Sequence, residues 1–131
     1  MSSIRAATVH DAPAIRALLR ASGWSDSKVE EAGRLEAMIA RADRALVVVV
    51  DGHVVGFARA LCDGVSNGYV STFAIAPDHR GRGLARELLD ALLGDDSRIT
   101  WVLRAGHEST AFWEKMGFQQ SAIAMERLRT R

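Results

Sequence analysis

Residues 73–89 limit the possible folds of this chain more than any other part of its sequence. A run rich in β-branched and aromatic residues, 69–75, is stopped by Pro77, and a short turn with two glycines follows. Directly after this turn, residues 84–93 carry leucines at helical spacing. A strand that passes through a tight glycine turn into a helix predicts a layered fold in which the helix packs on a sheet.

The rest of the chain supplies the other strands and helices of such a fold. Asp51-Gly52, between two apolar runs, predicts a tight hairpin because both residues tolerate positive φ. We expect strands at residues 4–7, 45–50, 53–61, 69–75, 99–103 and 118–128, and helices from 11 to 23, from 25–27 to 41, at 84–93 and at 109–116. The order βααβββαβαβ predicts an α+β fold, an α/β/α sandwich with a mixed central β-sheet and helices on both faces.

Length and charge narrow the classes of function. The chain has 131 residues, the size of one domain, and 17 Lys+Arg against 16 Asp+Glu leave a formal net charge of +1. Nucleic-acid-binding domains usually carry a basic excess, so we expect no nucleic-acid partner. Arginines far outnumber lysines and alanine is abundant, a composition typical of a GC-rich bacterial genome.

A metal site, an internal disulfide and a membrane-spanning segment are also disfavoured. Cys62 is the single cysteine, and the four histidines lie scattered without the spacing of metal ligands, so we expect no metal site. The longest apolar run, residues 45–50, is too short to cross a bilayer, and the first residues lack the apolar stretch of a signal peptide. We therefore expect a cytoplasmic protein that does not bind membranes.

The glycine turn before the leucine-rich helix predicts an anion site. The first backbone N–H groups of a helix have no intrahelical partners and lie at the positive end of its dipole. Gly81 and Gly83 carry no Cβ to obstruct a phosphate, and neighbouring arginines add charge. The turn lacks the lysine of a Walker loop, and Arg86 stands where a dinucleotide fold needs a small residue. A diphosphate site is favoured, and a plain turn with solvated arginines is the alternative.

Three segments in the same order resemble the GNAT superfamily of N-acetyltransferases. Residues 80–85, Arg-Gly-Arg-Gly-Leu-Ala, resemble its R/Q-x-x-G-x-G/A acyl-CoA signature, and residues 73–77 resemble the strand that precedes it. Residues 111–118 are similar to its late A-x-x-F-Y-E-K-L-G-F element. The resemblance implies one GNAT domain over residues 1–131, with acetyl-CoA as co-substrate, an amine acceptor and no metal.

The resemblance also implies where acetyl-CoA binds. Two central strands of such a fold splay apart, and the pantetheine arm lies in the gap like an added strand. A backbone N–H near Ile75 would stabilise the oxyanion. The cofactor-binding residues implied are Phe73, Ala74, Ile75, Arg80, Gly81, Arg82, Gly83, Leu84, Ala85 and Arg86.

The proton-handling residues of the family are replaced in this chain. Trp113 stands where many members have a tyrosine acid, and Val102 where some have a glutamate base. An indole N–H donates a hydrogen bond but no useful proton, while a thiolate can leave unprotonated. We expect His107 or Glu108 to accept the proton of the amine and Trp113 to wall the acyl channel, with Asp63, Tyr69 and Ser71 as weaker candidates for the base.

The acceptor site is predicted from less specific signals. Trp24, Tyr69 and Ser71 are the expected acceptor contacts. Acidic residues at positions 26, 30, 31 and 63 favour either a cationic amine or simply a solvated surface. The final segment, residues 118–131, is shorter than the last two strands that the resemblance implies. We therefore expect one side of the acceptor site to be open, or to be completed by a second subunit in a homodimer.

Two hypotheses of function follow. The first is an N-acetyltransferase that moves the acetyl group of acetyl-CoA to a primary amine of a small molecule or peptide. The second is a non-catalytic acyl-CoA-binding or interaction module that has lost proton transfer.

Overall fold

The computed structural model describes residues 1–24, 27–106 and 109–130. The strands are β1 (Ser2–Ala6), β2 (Arg44–Val50), β3 (His53–Cys62), β4 (Asn67–Ile75) and β5 (Thr100–Leu103). The helices are α1 (Ala12–Ala21), α2 (Ser27–Glu30), α3 (Arg34–Arg41), α4 (Leu84–Leu93) and α5 (Thr110–Lys115). Among the described residues, no helix is long and apolar enough to cross a membrane.

The five strands form one mixed sheet in the order β1-β2-β3-β4-β5. The pairs β1–β2, β2–β3 and β3–β4 are antiparallel, and the pair β4–β5 is parallel. The turn between β2 and β3 has φ of 50° at Asp51 and 79° at Gly52. Two successive positive φ angles are the geometry that the Asp-Gly pair predicted for this hairpin.

Helices cover both faces of the sheet. Helices α1 and α3 pack on one face, where Val47 and Phe57 are fully buried. Helix α4 packs on the other face, over Val48 and Val70. These two apolar layers confirm the predicted α+β sandwich with a mixed sheet, and the predicted bounds of α4 are confirmed to the residue.

The predicted long second helix is wrong, because the chain breaks it into α2 and α3. Gly33 has a φ of 79° and becomes the N-cap of α3, and Ala32 is exposed. A left-handed residue cannot continue a right-handed helix, and glycine adopts that conformation without a Cβ penalty. The glycine therefore ends one helix and begins another.

The predicted last strand at residues 118–128 is also wrong, since no strand forms in that stretch, all of which the structure describes. Instead, the Ser121 hydroxyl accepts hydrogen bonds from the N–H groups of Ile123 and Ala124, at 3.2 and 3.1 Å. A side chain that takes these donors competes with a strand ladder. Ile123 and Met125 are then 88% and 96% exposed, so the apolar alternation of this tail reflects no buried face.

Gly68 sets the contact between the starts of β4 and β5. It pairs with Trp101, and a Cβ at Gly68 would lie 2.3 Å from an atom of the indole ring. The guanidinium of Arg44 lies 5.3 Å from the ring centroid and donates to the Leu92 and Leu93 carbonyls at the end of α4. The indole is thus held between a strand and a helix end.

We expect Gly68→Ala to destabilise the protein by about 2 kcal/mol, because the new methyl group must displace the Trp101 ring. The free energy of unfolding in urea measures this. Gly106→Ala is the matched control, since a Cβ there has its nearest neighbour at 3.8 Å, and it should cost less than about 0.5 kcal/mol. Equal losses in the two variants would contradict the proposed contact.

Candidate active site

A cleft of about 1410 Å³ opens between β4 and β5. The two strands pair from Asn67 opposite Thr100 to Val70 opposite Leu103, and no further. Strand β4 continues to Ile75, so its last five residues have no strand on that side among the described residues. The cleft reaches from the first turn of α4, past β4 and α5, to the segment after α1.

A β-bulge marks the point where the strands part. Arg59 pairs with Thr72 and Ala60 with Val70, which leaves Ser71 as an extra residue on β4. An extra residue bends its strand and increases the local twist. The bend directly follows the last β4–β5 pair, and it therefore accounts for the opening of the gap.

The backbone of β4 presents polar groups to this gap. The N–H of Ala76 donates to the Val55 carbonyl at 2.8 Å, which directs Ala76 towards β3. Because alternate residues of a strand direct their backbone groups to opposite sides, Ala74 also faces β3, while Phe73 and Ile75 face the gap. The Ile75 carbonyl accepts a hydrogen bond from Arg80 Nε at 3.0 Å. The N–H of Ile75 then remains directed into the cleft.

The glycine turn ends at the first residue of α4. Gly81 and Gly83 have φ of 78° and 80°, and Gly83 is the N-cap of the helix. A Cβ at either glycine would meet nothing within 4 Å, so glycine is needed here for backbone conformation and not for internal space. Gly83, Leu84 and Ala85 line the cleft, which brings the unpaired N–H groups of the first helical turn to its wall.

The three arginines of this turn have different surroundings. Arg80 and Arg86 line the cleft, and Arg86 Nη2 donates to the Lys115 carbonyl at the end of α5, at 3.1 Å. Arg82 does not line the cleft, and its Nη2 donates to the Asp78 carbonyl at 3.2 Å. Arg80 and Arg86 thus place positive charge beside the α4 N-terminus, and Arg86 also ties α4 to α5.

His79 lines the cleft at the same turn. Its Nδ1 lies 2.9 Å from a carboxylate oxygen of Asp78, and this hydrogen bond lowers the pKa of Asp78. The aspartate is thereby kept ionised next to the turn.

An aromatic wall closes the α5 side. The Trp113 ring makes edge-to-face contacts with Phe73, Phe112 and Phe118, with centroid distances of 5.2, 5.0 and 5.5 Å. Trp113 and Phe112 line the cleft beside Phe73 of β4. These three ring contacts hold the indole in place, so the tryptophan packs among the aromatic side chains of the cleft wall.

The far end of the cleft contains two of the three predicted acceptor contacts. Trp24 and Ser71 line it, together with Ser22 and Gly23. Tyr69 lies on β4 next to the cleft but is not among its lining residues. The sequence analysis missed Arg59, whose Nη2 donates to Ser71 Oγ at 2.9 Å. Its only sequence signal is its position in the returning strand of a predicted hairpin.

Of the residues predicted to accept the proton of the amine, two are outside the described part of the chain, and Asp63 is unsuited to this role. His107 and Glu108 lie outside the described residues, between Gly106 and Ser109, which both line the cleft. Asp63 accepts hydrogen bonds from the N–H groups of Val65 and Ser66 at 2.8 Å, which hold its pKa far below its usual range. Such a carboxylate is a poor proton acceptor at neutral pH.

The described residues contain no group of three or more His, Cys, Asp or Glu side chains that could hold a metal ion. The described lining of the cleft includes backbone N–H groups, the arginines Arg80, Arg86 and Arg104, serine hydroxyls, and the titratable side chains of His79, Glu87, Asp90 and Lys115. This donor set suits the binding of an acyl thioester with a phosphorylated carrier.

Comparison with known proteins agrees with this architecture. Residues 9–118 match the sequence model of the Acetyltransferase (GNAT) family. No curated protein sequence matches the chain at a significant level. Among solved structures, a GNAT-family acetyltransferase from Streptococcus pneumoniae is 19% identical, with a TM-score of 0.75 and 100% of each chain covered.

Two further structures have comparable folds. Ribosomal-protein-alanine N-acetyltransferase from Brucella melitensis is 23% identical, with a TM-score of 0.72, and the match covers 98% of this chain and 99% of that one. The PaiA N-acetyltransferase from Thermoplasma acidophilum, solved in complex with coenzyme A, is 15% identical, with a TM-score of 0.72 and 95% and 93% covered. At these identities, the structures indicate a shared fold.

Proposed function

This chain belongs to the GNAT family of acetyltransferases, and on that basis we propose that it transfers the acetyl group of acetyl-CoA directly to a primary amine. One observation carries the proposal: a single cleft joins the N-terminus of α4 to the unpaired side of β4. An anion site and an open strand edge in one cleft match the two ends of coenzyme A, its pyrophosphate and its amide-bearing arm.

Residues of the glycine turn and of β4 would hold the co-substrate. The N–H groups from Gly81 to Arg86 suit the pyrophosphate, and the charge of Arg80 and Arg86 supplements them. The backbone groups of Phe73 and Ile75 suit the arm, because both face the gap. When bound, acetyl-CoA supplies the activated acetyl group as a thioester.

The N–H of Ile75 would stabilise negative charge on the carbonyl oxygen during attack. A fixed donor of this kind contributes about 3 kcal/mol in other acyl transfers. Hydrogen bonding of the Ile75 carbonyl to Arg80 fixes the end of β4, and it therefore holds the neighbouring N–H in position. The apolar rings of Trp113 and Phe73 would lie beside the bound thioester and would shield one side of it from water, which limits its hydrolysis.

The amine must lose a proton before it attacks, because an alkyl ammonium has a pKa of about 10.4. We propose His107 or Glu108 as the acceptor of this proton, since the residues on either side of them line the cleft. The nitrogen then forms the C–N bond, the C–S bond breaks, and the CoA thiolate leaves without a proton, because Trp113 supplies none. The second proton of the nitrogen passes to solvent. The cytoplasmic location, the bacterial source and the homodimer stay predictions from the sequence.

Amine-dependent release of the CoA thiol tests this function. Acetyl-CoA and a broad panel of primary amines, both small molecules and peptides, are mixed with the protein, and thiol release is followed with a colorimetric reagent. We expect at least one amine to increase the rate well above hydrolysis and to yield an N-acetyl product by mass spectrometry. Tight CoA binding without amine-dependent release would instead support the non-catalytic acyl-CoA-binding module.

A further inference from the structure

We propose that Arg59 binds an anionic group of the acceptor, so that the acceptor is an amine that also carries a carboxylate or a phosphate. The inference rests on the proposed acetyl transfer and names the substrate class for the same cleft. Three observations carry it: the hydrogen-bond partners of Arg59, the place of Arg59 next to the cleft residue Ser71, and the ion pairs and hydrogen bonds that the nearby acidic residues already make.

The guanidinium of Arg59 is half-buried, and its partners among the described residues are neutral. Its Nη2 donates to Ser71 Oγ at 2.9 Å, and its Nε lies 3.4 Å from Thr72 Oγ1. Among the described residues, no carboxylate forms an ion pair with it, and none accepts a hydrogen bond from its Nη1. Burial lowers the pKa of Arg59, because it removes water from around the cation, and the nearby Tyr69 opposes this shift.

Two other half-buried arginines are satisfied in a way that Arg59 is not. Arg16 bonds the Glu36 carboxylate, at 3.1 Å, and the Val29 carbonyl, at 2.9 Å. Arg44 bonds two carbonyls at the negative end of α4. Among the described residues, Arg59 donates to the hydroxyl groups of Ser71 and Thr72, and not to a carboxylate or to the carbonyls of a helix end. A half-buried guanidinium with free donors is suited to bind a carboxylate or phosphate.

The position of Arg59 fits a role in acceptor binding. Its hydrogen-bond partner Ser71 is the bulge residue of β4 and lines the far end of the cleft, opposite the α4 turn. Leu61 and Val102, on the neighbouring strands at this end of the sheet, are 42% and 44% exposed, so the helices do not cover this part. Arg59 itself does not line the cleft, but it bonds the wall residue Ser71, and the uncovered sheet surface beside Ser71 would let an acceptor extend from the gap to the guanidinium.

The acidic residues that could select a cationic amine are engaged elsewhere. Glu30 pairs with Arg20 at 2.8 Å, and Glu31 with Arg34 at 3.3 Å. Asp63 accepts hydrogen bonds from its own loop. Asp26 lies outside the described residues. Each described acidic residue of this set is thus engaged by its own partners, whereas Arg59 has no ion-pair partner among the described residues, and its charge favours an acceptor with a negative group.

Matched acceptor pairs test the inference. We compare L-alanine with L-alaninamide and glucosamine 6-phosphate with glucosamine, measuring kcat/KM for acetyl-CoA-dependent thiol release. The anionic member of at least one pair should be preferred by about 10- to 100-fold, the size of one charge-assisted hydrogen bond. The first pair reports a carboxylate and the second a phosphate. Arg59→Gln should remove the preference, chiefly through KM, and Arg59→Lys should keep part of it.

Arg98→Gln is the matched control, because it removes the same charge from a side chain that is 85% exposed and pairs with Asp96 outside the cleft. It should leave the preference unchanged. Equal use of charged and neutral members by the parent protein, or an unchanged preference in Arg59→Gln, would overturn the inference while acetyl transfer stands.

A binding measurement covers the case in which no amine of the panel is acetylated. Calorimetry on the CoA-loaded protein compares N-acetyl-L-alanine with N-acetyl-L-alaninamide, and N-acetylglucosamine 6-phosphate with N-acetylglucosamine. Tighter binding of an anionic ligand that Arg59→Gln abolishes would support the inference even if the proposed transfer fails. Binding of neither anionic ligand more tightly than its neutral partner would refute it.

Discussion

Gly83→Glu is expected to weaken CoA binding by about 100-fold or more, while the fold is retained. Gly83 is the N-cap of α4 and lines the cleft, so the new carboxylate would stand where the pyrophosphate is proposed to bind. Negative charge would then repel the ligand and occupy the donors of the first helical turn. Calorimetric titration with CoA measures the loss.

Gly33→Glu is a closely matched control for this variant. Gly33 is the N-cap of α3 with φ 79° and ψ −10°, against 80° and 0° at Gly83, and a Cβ at either position meets nothing within 4 Å. Both substitutions should therefore cost a similar backbone strain of about 1 kcal/mol. Only Gly83→Glu should lose CoA affinity. An unchanged affinity in that variant would exclude the α4 N-terminus as the pyrophosphate site.

His107→Ala is expected to lower kcat/KM by about 100-fold if this residue accepts the proton of the amine. The activity of the parent protein should then rise with pH through the pKa of an imidazole, about 6.5, and level off above it. In the variant, activity should continue to rise towards the pKa of the acceptor amine. The pH profile of kcat/KM distinguishes this from a general loss of activity.

His53→Ala provides the comparison, since His53 is exposed at the hairpin turn and outside the cleft. It should reproduce the rate and profile of the parent protein. A binding role for His107 would raise KM for acetyl-CoA and leave the shape of the profile unchanged. That outcome would transfer the proposed role to Glu108, whose substitution by Gln can be tested in the same way.

The sequence by itself determined the features that depend on neighbouring residues. The bounds of α4 follow from the spacing of its leucines, and the hairpin turn follows from the φ angles that Asp51 and Gly52 accept. The glycine turn was predicted from Gly81 and Gly83, which carry no Cβ to obstruct an anion, and the structure shows in addition that both have positive φ. The resemblance of this turn to an acyl-CoA signature led to the family that residues 9–118 match.

Local patterns led to two wrong predictions where a competing local interaction decided the conformation. Gly33 lies inside an apolar helical pattern, and the pattern alone does not reveal that its φ is positive. The alternating residues of the tail suggested a strand, but the Ser121 hydroxyl takes backbone donors that a ladder would use. Periodicity measures which side chains could share a face, and it does not establish that a second surface covers them.

Only the tertiary structure decided how the site is assembled. The gap depends on where the pairing of β4 with β5 ends and on the extra residue at Ser71, and both are set by register between distant segments. The partners of Arg59 have the same origin, since Ser71 and Thr72 become its neighbours only when β3 pairs with β4. Strand register is fixed by packing across the whole sheet, and a single segment of sequence carries no record of it.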